Sequence, residues 1–307
     1  MKVLIGGGTG FIGRYLRQKL VNRGHKVIVI SRKTVPGDDL MTWNDIDRNG
    51  LPVDTDAVVN LAGKNILDKP FERWTPDVTE ELRDSRIETT RTLIRAMKAA
   101  KTPPKVFVGG SAIGIYPAND TAEYTEESEV HPSDFLTQLC HDWEAASEDC
   151  PTRRVIVRTG LVLGREAGVI ANMYWPFFFN LGGPIGSGKQ WFPWIHVQDI
   201  AGIFTHAIEN EHVCGILNGT SPNPVTNAEF SKAFAKAMWR LALFPLPAFV
   251  LNTVYGEDRA QMMLTGQKVL PKRTQELGYQ YQYADIHSAC KECSHLVSYS
   301  NMYAMNK

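Results

Sequence analysis

Val3-Leu4-Ile5-Gly6-Gly7-Gly8-Thr9-Gly10-Phe11-Ile12-Gly13 stands near the start of a chain of 307 residues, and its reading decides the fold. Val3 to Ile5 is a short apolar run of the kind that forms a buried strand. From Phe11 onward, Phe11, Ile12, Tyr15, Leu16, Leu20 and Val21 fall on one helical face, and Gly24 ends that helix. Gly7, Gly10 and Gly13 are spaced GxxGxxG. Glycines there allow a tight turn and a close approach of backbone to a pyrophosphate, while the helix N-terminus offers unpaired N–H groups and a favourable dipole to that anion. Next, Lys26–Ile30 reads as a second strand, and Ser31, Arg32 and Lys33 follow its apolar run. In a dinucleotide-binding fold this position reads the adenosine ribose: an acidic residue selects NAD, whereas an Arg accommodates the 2′-phosphate of NADP. A hydroxyl and two cations stand here without a carboxylate, so the expected cofactor is NADP, held by forked, charge-assisted hydrogen bonds.

Strand-like and helix-like segments alternate beyond this point. Met41–Trp43, Ala57–Leu61, Lys105–Val108 and Arg154–Thr159 read as further strands. Pro76 to Ala100 reads as a long helix with Thr75 as its N-cap, and Asp134–Ala146 as a helix with Phe135, Leu139 and Trp143 at four-residue spacing. The alternation predicts an α/β fold, a Rossmann-type doubly wound parallel sheet with a smaller C-terminal lobe. Residues 1–164 are expected to form the NADP-binding unit, completed by about 195–220. Residues 165–194 and 221–295 are expected to form the substrate-side lobe, and 296–307 a frayed tail. Asp199–Ile208 looks helical, Thr226-x-x-Glu229 is a capping box opening a helix to about Trp239, and Leu246–Tyr255 and Tyr283–Cys293 suggest more helix.

The formal net charge is +0, from 33 basic and 33 acidic residues, which favours neither nucleic acid nor acidic membranes as partners. Leu241–Tyr255 is the most apolar stretch of the C-terminal part, but it is short and broken by Pro245 and Pro247, so it is not read as a membrane span. The sequence begins directly with a strand, which sets the expectation of no signal or transit segment and a cytoplasmic protein. Five cysteines do not suggest a disulfide scaffold. Cys290 and Cys293 form one CxxC near His295, but no matching ligand pair follows, so no metal is expected. The expected partner is a small-molecule substrate.

GGGTGFIG (Gly6 to Gly13), VVNLAGKNI (Val58 to Ile66), SRIETTRTL (Ser85 to Leu93), FNLGGPIGSGKQWFPWIHVQDIAGI (Phe179 to Ile203) and LTGQKVLPKRTQELGY (Leu264 to Tyr279) together resemble a short-chain dehydrogenase/reductase of the extended type. Within it they resemble most closely the atypical epimerase-family branch, family 39U. The resemblance covers Met1 to about Cys293. It implies a Rossmann domain, a family-specific C-terminal module walling the pocket, NADP binding and an oxidoreductase-like activity. It also implies binding roles for Thr9, Gly10, Phe11 and Ile12 at the pyrophosphate, alongside Gly7 and Gly13 of the turn. Ser31 and Arg32 match the 2′-phosphate pair, Leu61 and Ala62 the strand end beside adenine and ribose, and Glu81 and Arg86 the dinucleotide contacts of the long helix. Val162 matches a backbone position near the nicotinamide. For Glu81 and Arg86 a solvated helical pair is the alternative, and for Asn60 a loop-capping role.

The chain departs from the family at catalysis. Members of the superfamily use Tyr-x-x-x-Lys on the helix after the fifth core strand, where the Lys cation lowers the pKa of a proton-transferring Tyr. Here Leu136 falls at the Tyr position and Cys140 at the Lys position, and Asp134 to Glu144 contains neither Tyr nor Lys. The nearest replacements by chain position are Ser111 and Tyr116. Ser111 reads either as a catalytic donor or as a strand-end cap, and Tyr116 either as an acid or as a packed ring with a satisfied hydroxyl. His141 and Asp142 are adjacent on a helix and make a poor dyad. His196 and Asp199 suggest an N-terminal capping interaction. Gln190, Trp191, Phe192 and Trp194 read equally as an aromatic cleft or as core between two lobes. Two functions follow: an NADP-dependent oxidoreductase or epimerase with a nonstandard acid, or an NADP-binding sensor that lost catalysis.

Overall fold

The apolar N-terminal run forms strand β1 (Lys2–Gly6), which sits inside a seven-stranded sheet. The structure, a computed structural model, describes residues 1–32, 39–66 and 73–295. In chain order the remaining strands are β2 (Lys26–Ser31), β3 (Leu40–Thr42), β4 (Ala57–Asn60), β5 (Val106–Ala112), β6 (Asn119–Tyr124), β7 (Arg153–Thr159), β8 (Leu161–Leu163), β9 (Trp191–Phe192), β10 (Trp194–His196), β11 (Gly215–Gly219), β12 (Val225–Thr226) and β13 (Gln267–Val269). The main sheet runs β11-β7-β5-β4-β1-β2-β3 with every neighbouring pair parallel.

Parallel neighbours need crossovers, and helices supply most of them. These are α1 (Phe11–Asn22), α2 (Trp43–Asn49), α3 (Pro76–Ala99), α4 (Phe135–Ala145), α5 (Gly168–Phe178) and α6 (Val197–Glu209). Alternation along β1 shows how both faces are covered. Val3 and Ile5 pack with Leu16 and Leu20 of α1 and with Ile200, Ile203 and Phe204 of α6. Leu4, on the opposite face, packs with Ile46 of α2 and with Leu93, Ile94 and Met97 of α3. The doubly wound sheet is the expected one. A second buried cluster joins Phe177 of α5, Phe192, Trp194, Phe230 and Phe234 of α7 (Asn227–Ala237), and Cys290 and Cys293 of the last described helix. That cluster decides for core over cleft at Phe192 and Trp194, and Gln190 is buried as well. The remaining helices are α8 (Ala248–Tyr255), α9 (Glu257–Leu264), α10 (Lys272–Glu276) and α11 (Ile286–Cys293).

Several boundaries differ from the sequence reading for local reasons. Trp43 opens α2 rather than ending a strand, because Thr42 and Asp45 form a reciprocal capping box. Strand β5 does not stop at Val108. Gly109 and Gly110 continue it along β7, with Phe107 and Ile156 filling the space a side chain would take at Gly109, so Ser111 lies inside a central strand. Helix α6 begins two residues before Asp199, with the His196 ring as its cap. The capping box at Thr226 and Glu229 forms as expected, and α7 ends at Ala237. Among the described residues no helix is long and apolar enough to cross a membrane.

Candidate functional site

The turn after β1 and the N-terminus of α1 form the site's floor. Gly7 has φ +77°, and a Cβ on it would lie 2.5 Å from the Leu61 carbonyl carbon. The turn therefore touches the loop leaving β4, and the Leu61 amide donates to the Gly6 carbonyl at 2.8 Å. A Cβ on Gly13 would collide with the Gly7 carbonyl, so this glycine lets the helix close onto the turn. Among the described residues no side chain caps α1, and its first turn holds no acidic residue. Thr9, Gly10, Phe11 and Ile12 thus surround an N-terminus whose first amides meet no carboxylate among the described residues, the arrangement that suits an external anion.

Ser31 ends β2 and pairs in register with Thr42, and Arg32 follows it, exposed. Lys33 lies outside the described residues. The loop after β4 is held from two sides. Asn60 is fully buried; its Oδ1 accepts from the Ala62 amide at 3.0 Å, and its amide nitrogen donates to Thr90 at 2.9 Å. This supports the loop-capping alternative for Asn60. Glu81 and Arg86 project from successive turns of α3 onto Lys64 rather than standing as a pair in solvent. Glu81 takes the Lys64 ammonium at 2.6 Å, and the Arg86 guanidinium donates to the Lys64 carbonyl at 2.8 Å. Arg86 also lies over the Trp143 ring, and burial pulls its pKa down to about 10. Val162 lies on β8, opposite Ile195 of β10.

Beside this floor lies a buried polar chain that sequence reading did not find. Glu144 of α4 accepts two parallel hydrogen bonds from Arg158 of β7, at 2.8 and 2.9 Å. Ser111 donates to the same carboxylate at 2.7 Å. Arg158 donates to the Tyr116 hydroxyl at 2.8 Å, and that hydroxyl donates either to Asn218 Oδ1 at 2.9 Å or to the Thr125 carbonyl at 3.0 Å. Asn218 continues the chain to Glu126, which accepts its amide and those of Arg273 and Thr274. Burial alone would lower the Arg158 pKa, but the Glu144 carboxylate outweighs it and holds the guanidinium charged. Burial raises the Tyr116 phenol, with Arg158 opposing it only in part.

Neither candidate hydroxyl reaches an open surface in this structure: Ser111 is 3% exposed and Tyr116 1%. The residues at the usual Tyr and Lys positions, Leu136 and Cys140, face the turn Ile113–Ile115, and burial pushes the Cys140 thiol up to about 12. Arg158 carried one sequence signal, a cation inside an otherwise apolar parallel strand, but its partner sits on a helix 14 residues away.

His196 and Asp199 do different work from that expected of a pair. His196 Nδ1 accepts from the Gln198 amide, so Nε2 carries the proton that it donates to Glu292 at 3.1 Å. Arg165 pairs with the same carboxylate at 2.9 Å. His196, Glu292 and Cys293 lie within 4.8 Å of one another. Within that trio both His nitrogens already have protein partners, and burial raises the Cys293 thiol. Asp199 instead accepts from Tyr279 and from the amides of Gln282 and Tyr283, joining α6 to the C-terminal segment.

Residues 3–218 match the NAD dependent epimerase/dehydratase family, and residues 246–293 match a domain of unknown function, DUF1731. The sequence is 50% identical over 295 residues to the Bos taurus epimerase family protein SDR39U1, an alignment covering 95% of this chain and 99% of the bovine protein. The structure resembles the crystal structure of human epimerase family protein SDR39U1 (isoform 2) with NADPH, at TM-score 0.92 and 49% identity over 96% of this chain and 99% of that one. It also resembles a nucleoside-diphosphate sugar epimerase from Corynebacterium glutamicum, at TM-score 0.75 and 27% identity over 100% of this chain and 61% of that one.

Proposed function

Because the chain belongs to the NAD dependent epimerase/dehydratase family, and 95% of its length aligns with an epimerase family protein of the SDR39U1 kind, we propose that it binds NADPH in preference to NADH. One observation carries this reading: an uncapped, acid-free helix N-terminus in a sheet whose second strand ends in Ser31 and Arg32 instead of a carboxylate. The NADPH in the human relative supports it. In this reading Gly7, Thr9, Gly10, Phe11, Ile12 and Gly13 cradle the pyrophosphate, and Ser31 and Arg32 take the 2′-phosphate. Leu61 and Ala62 pass the adenosine, Glu81 and Arg86 fix that loop through Lys64, and Val162 flanks the nicotinamide end. When bound, the cofactor supplies or accepts a hydride.

The proton partner is where two readings separate. As an oxidoreductase or epimerase, the protein would use an acid other than the usual Tyr, with Ser111 and Tyr116 the nearest hydroxyls by chain position. The burial of both, and their engagement with Glu144 and Arg158, favours a second reading: a nucleotide-binding sensor in which these hydroxyls brace the floor. Calorimetry with NADPH and NADH tests the binding proposal, and equal affinities would sink it. Spectroscopic turnover of bound NADPH across a panel of carbonyl and nucleotide-sugar metabolites separates the readings. Oxidation by any member supports the enzyme. Silence throughout, with a partner whose affinity changes with bound nucleotide, supports the sensor.

A further inference from the structure

The largest exposed apolar side chains of the C-terminal lobe gather on one ridge. Trp175, Phe178, Phe179 and Leu181 stand exposed at the end of α5, with Trp175 stacked on Phe179. The segment after α7 runs beside them in the same direction. Arg240 donates to the Phe178 carbonyl, the Leu241 amide donates to Asn180, and the Leu246 amide donates to the Pro184 carbonyl. Gly183 lies directly against the Phe244 backbone. This second segment adds exposed Trp239, Leu241, Leu243, Phe244 and Phe249. Soluble surfaces scatter such residues singly, and a contiguous patch marks a contact site.

Trp239 is the most telling member. It is 90% exposed and takes φ +58°, a left-handed conformation that costs a bulky side chain energy and that helix ends ordinarily give to Gly or Asn. The backbone turn closes α7, with the Trp239 amide donating to the Lys236 carbonyl and the Arg240 amide to the Ala235 carbonyl, and it leaves the indole ring standing in solvent.

Charge decides what covers the ridge. Between Glu229 and Glu257 the sequence holds Lys232, Lys236 and Arg240 and no acidic residue, and between Glu166 and Asp199 it holds Lys189 and no acidic residue. Of these flanking acids, Glu229 closes the capping box of α7 and Glu166 pairs with Arg14. A second copy docked face to face would set Lys236 and Arg240 against their own kind without acids to pair them. The segment 296–307 carries no acidic residue either. An aromatic and leucine ridge rimmed by cations fits instead the interface of an anionic bilayer, where Trp and Phe sit at headgroup depth and each cation gains from the surface potential. We propose that this ridge is a peripheral membrane-docking surface for anionic lipid, with Trp239 and Phe244 inserting and Lys236 and Arg240 contacting headgroups. Formal balance over the whole chain conceals it, because these two stretches of sequence carry cations and no acids, and the exposed Glu257 and Asp258 follow only on α9.

Flotation with vesicles of phosphatidylcholine and phosphatidylserine in 7:3 proportion, roughly the anionic content at which a basic surface is attracted, tests this. The full chain is expected to float with these vesicles and much less with phosphatidylcholine alone, and its tryptophan emission is expected to shift to the blue. Trp239→Ser with Phe244→Ser, and separately Lys236→Glu with Arg240→Glu, should each weaken partitioning by roughly tenfold or more. Unchanged melting curves would show that these variants are folded. Absence of binding to anionic vesicles overturns the proposal. So does vesicle binding that survives both double variants, because it then arises elsewhere. A wild-type dimer that the Trp239 and Phe244 variant dissociates, without vesicle binding, overturns it in favour of a second copy, and capture of an acidic amphipathic peptide without vesicle binding overturns it in favour of a protein partner.

Discussion

Gly10 caps α1 with φ −73° and ψ 178°, an extended conformation that any residue adopts. A Cβ there would lie 3.2 Å from the Gly7 carbonyl oxygen and, among the described residues, meet nothing else within 4 Å. Gly10→Val should therefore fold while its side chain occupies the approach to the proposed phosphate cradle. We expect a melting temperature close to wild type and loss of its increase on adding NADPH. Persistent stabilisation by NADPH would remove the cradle from this turn. Arg32→Ala should weaken NADPH by about 1.5–3 kcal/mol, the scale of hydrogen bonds to charged groups, and leave NADH unchanged in calorimetry. Tyr116→Phe keeps the ring stacked on Tyr124 but takes the hydroxyl from Arg158 and Asn218. In urea it should cost about 1–3 kcal/mol of stability with NADPH affinity unchanged. Unaltered stability combined with lost turnover on an identified substrate would instead make Tyr116 the acid.

Helix α3 holds the loop after β4 at two residues, Asn60 through Thr90 and Lys64 through its first half. Ser85 accepts the Lys64 amide at 2.9 Å, Arg86 donates to its carbonyl and Glu81 holds its ammonium, so three residues spread over the first half of the helix set the loop at Lys64. Arg86→Met keeps much of the volume against Trp143 but removes the donor to Lys64. The expected result is faster hydrogen exchange across residues 61–66 and a rise of roughly tenfold or less in the NADPH dissociation constant, the cost of one hydrogen bond of about 1 kcal/mol. A larger loss without any change in exchange would place Arg86 in direct contact with the cofactor.

At the scale of the molecule, acidic residues fasten the C-terminal segment to the rest of the fold: Glu126 holds the start of α10, Asp199 on α6 holds Tyr279 to Tyr283, and Glu292 on α11 holds His196. Burial alone would raise the Glu292 pKa, but the hydrogen bond from His196 and the charge of Arg165 outweigh it and hold the carboxyl below its ordinary value. A carboxylate depressed in the folded state binds fewer protons there than in the unfolded chain. Its contribution to stability is therefore full above the unfolded pKa of about 4.3 and fades as pH falls through the folded value. Urea denaturation from neutral pH down to about pH 3 should show wild type losing more stability than Glu292→Gln across that window. Parallel curves would mean that the carboxyl is not held down by its partners.

The turn and helix start proposed as the nucleotide floor were legible in the residues because their geometry is local. A strand, a glycine turn and a helix start lie within Val3 to Gly13, and Ser31 and Arg32 follow at the end of the next strand. Backbone sterics and helix polarity act over those short separations, and the alternation of elements gave a parallel sheet covered on both faces. The absence of Tyr and Lys from α4 was equally plain, because it is a statement about residue identity. Which hydroxyls remain available was not. Ser111, Glu144, Arg158 and Tyr116 come from a strand, a helix, another strand and a loop, and only the parallel register of β5 on β7, with α4 packed beside them, sets their atoms 2.7 to 2.9 Å apart. The apolar ridge is likewise a tertiary fact: Trp175 and Trp239 lie on segments that pair side by side only after the chain has folded. Hydrophobic period and turn chemistry specify elements from sequence; the meeting of distant polar groups depends on long-range packing, and that the tertiary structure alone decided.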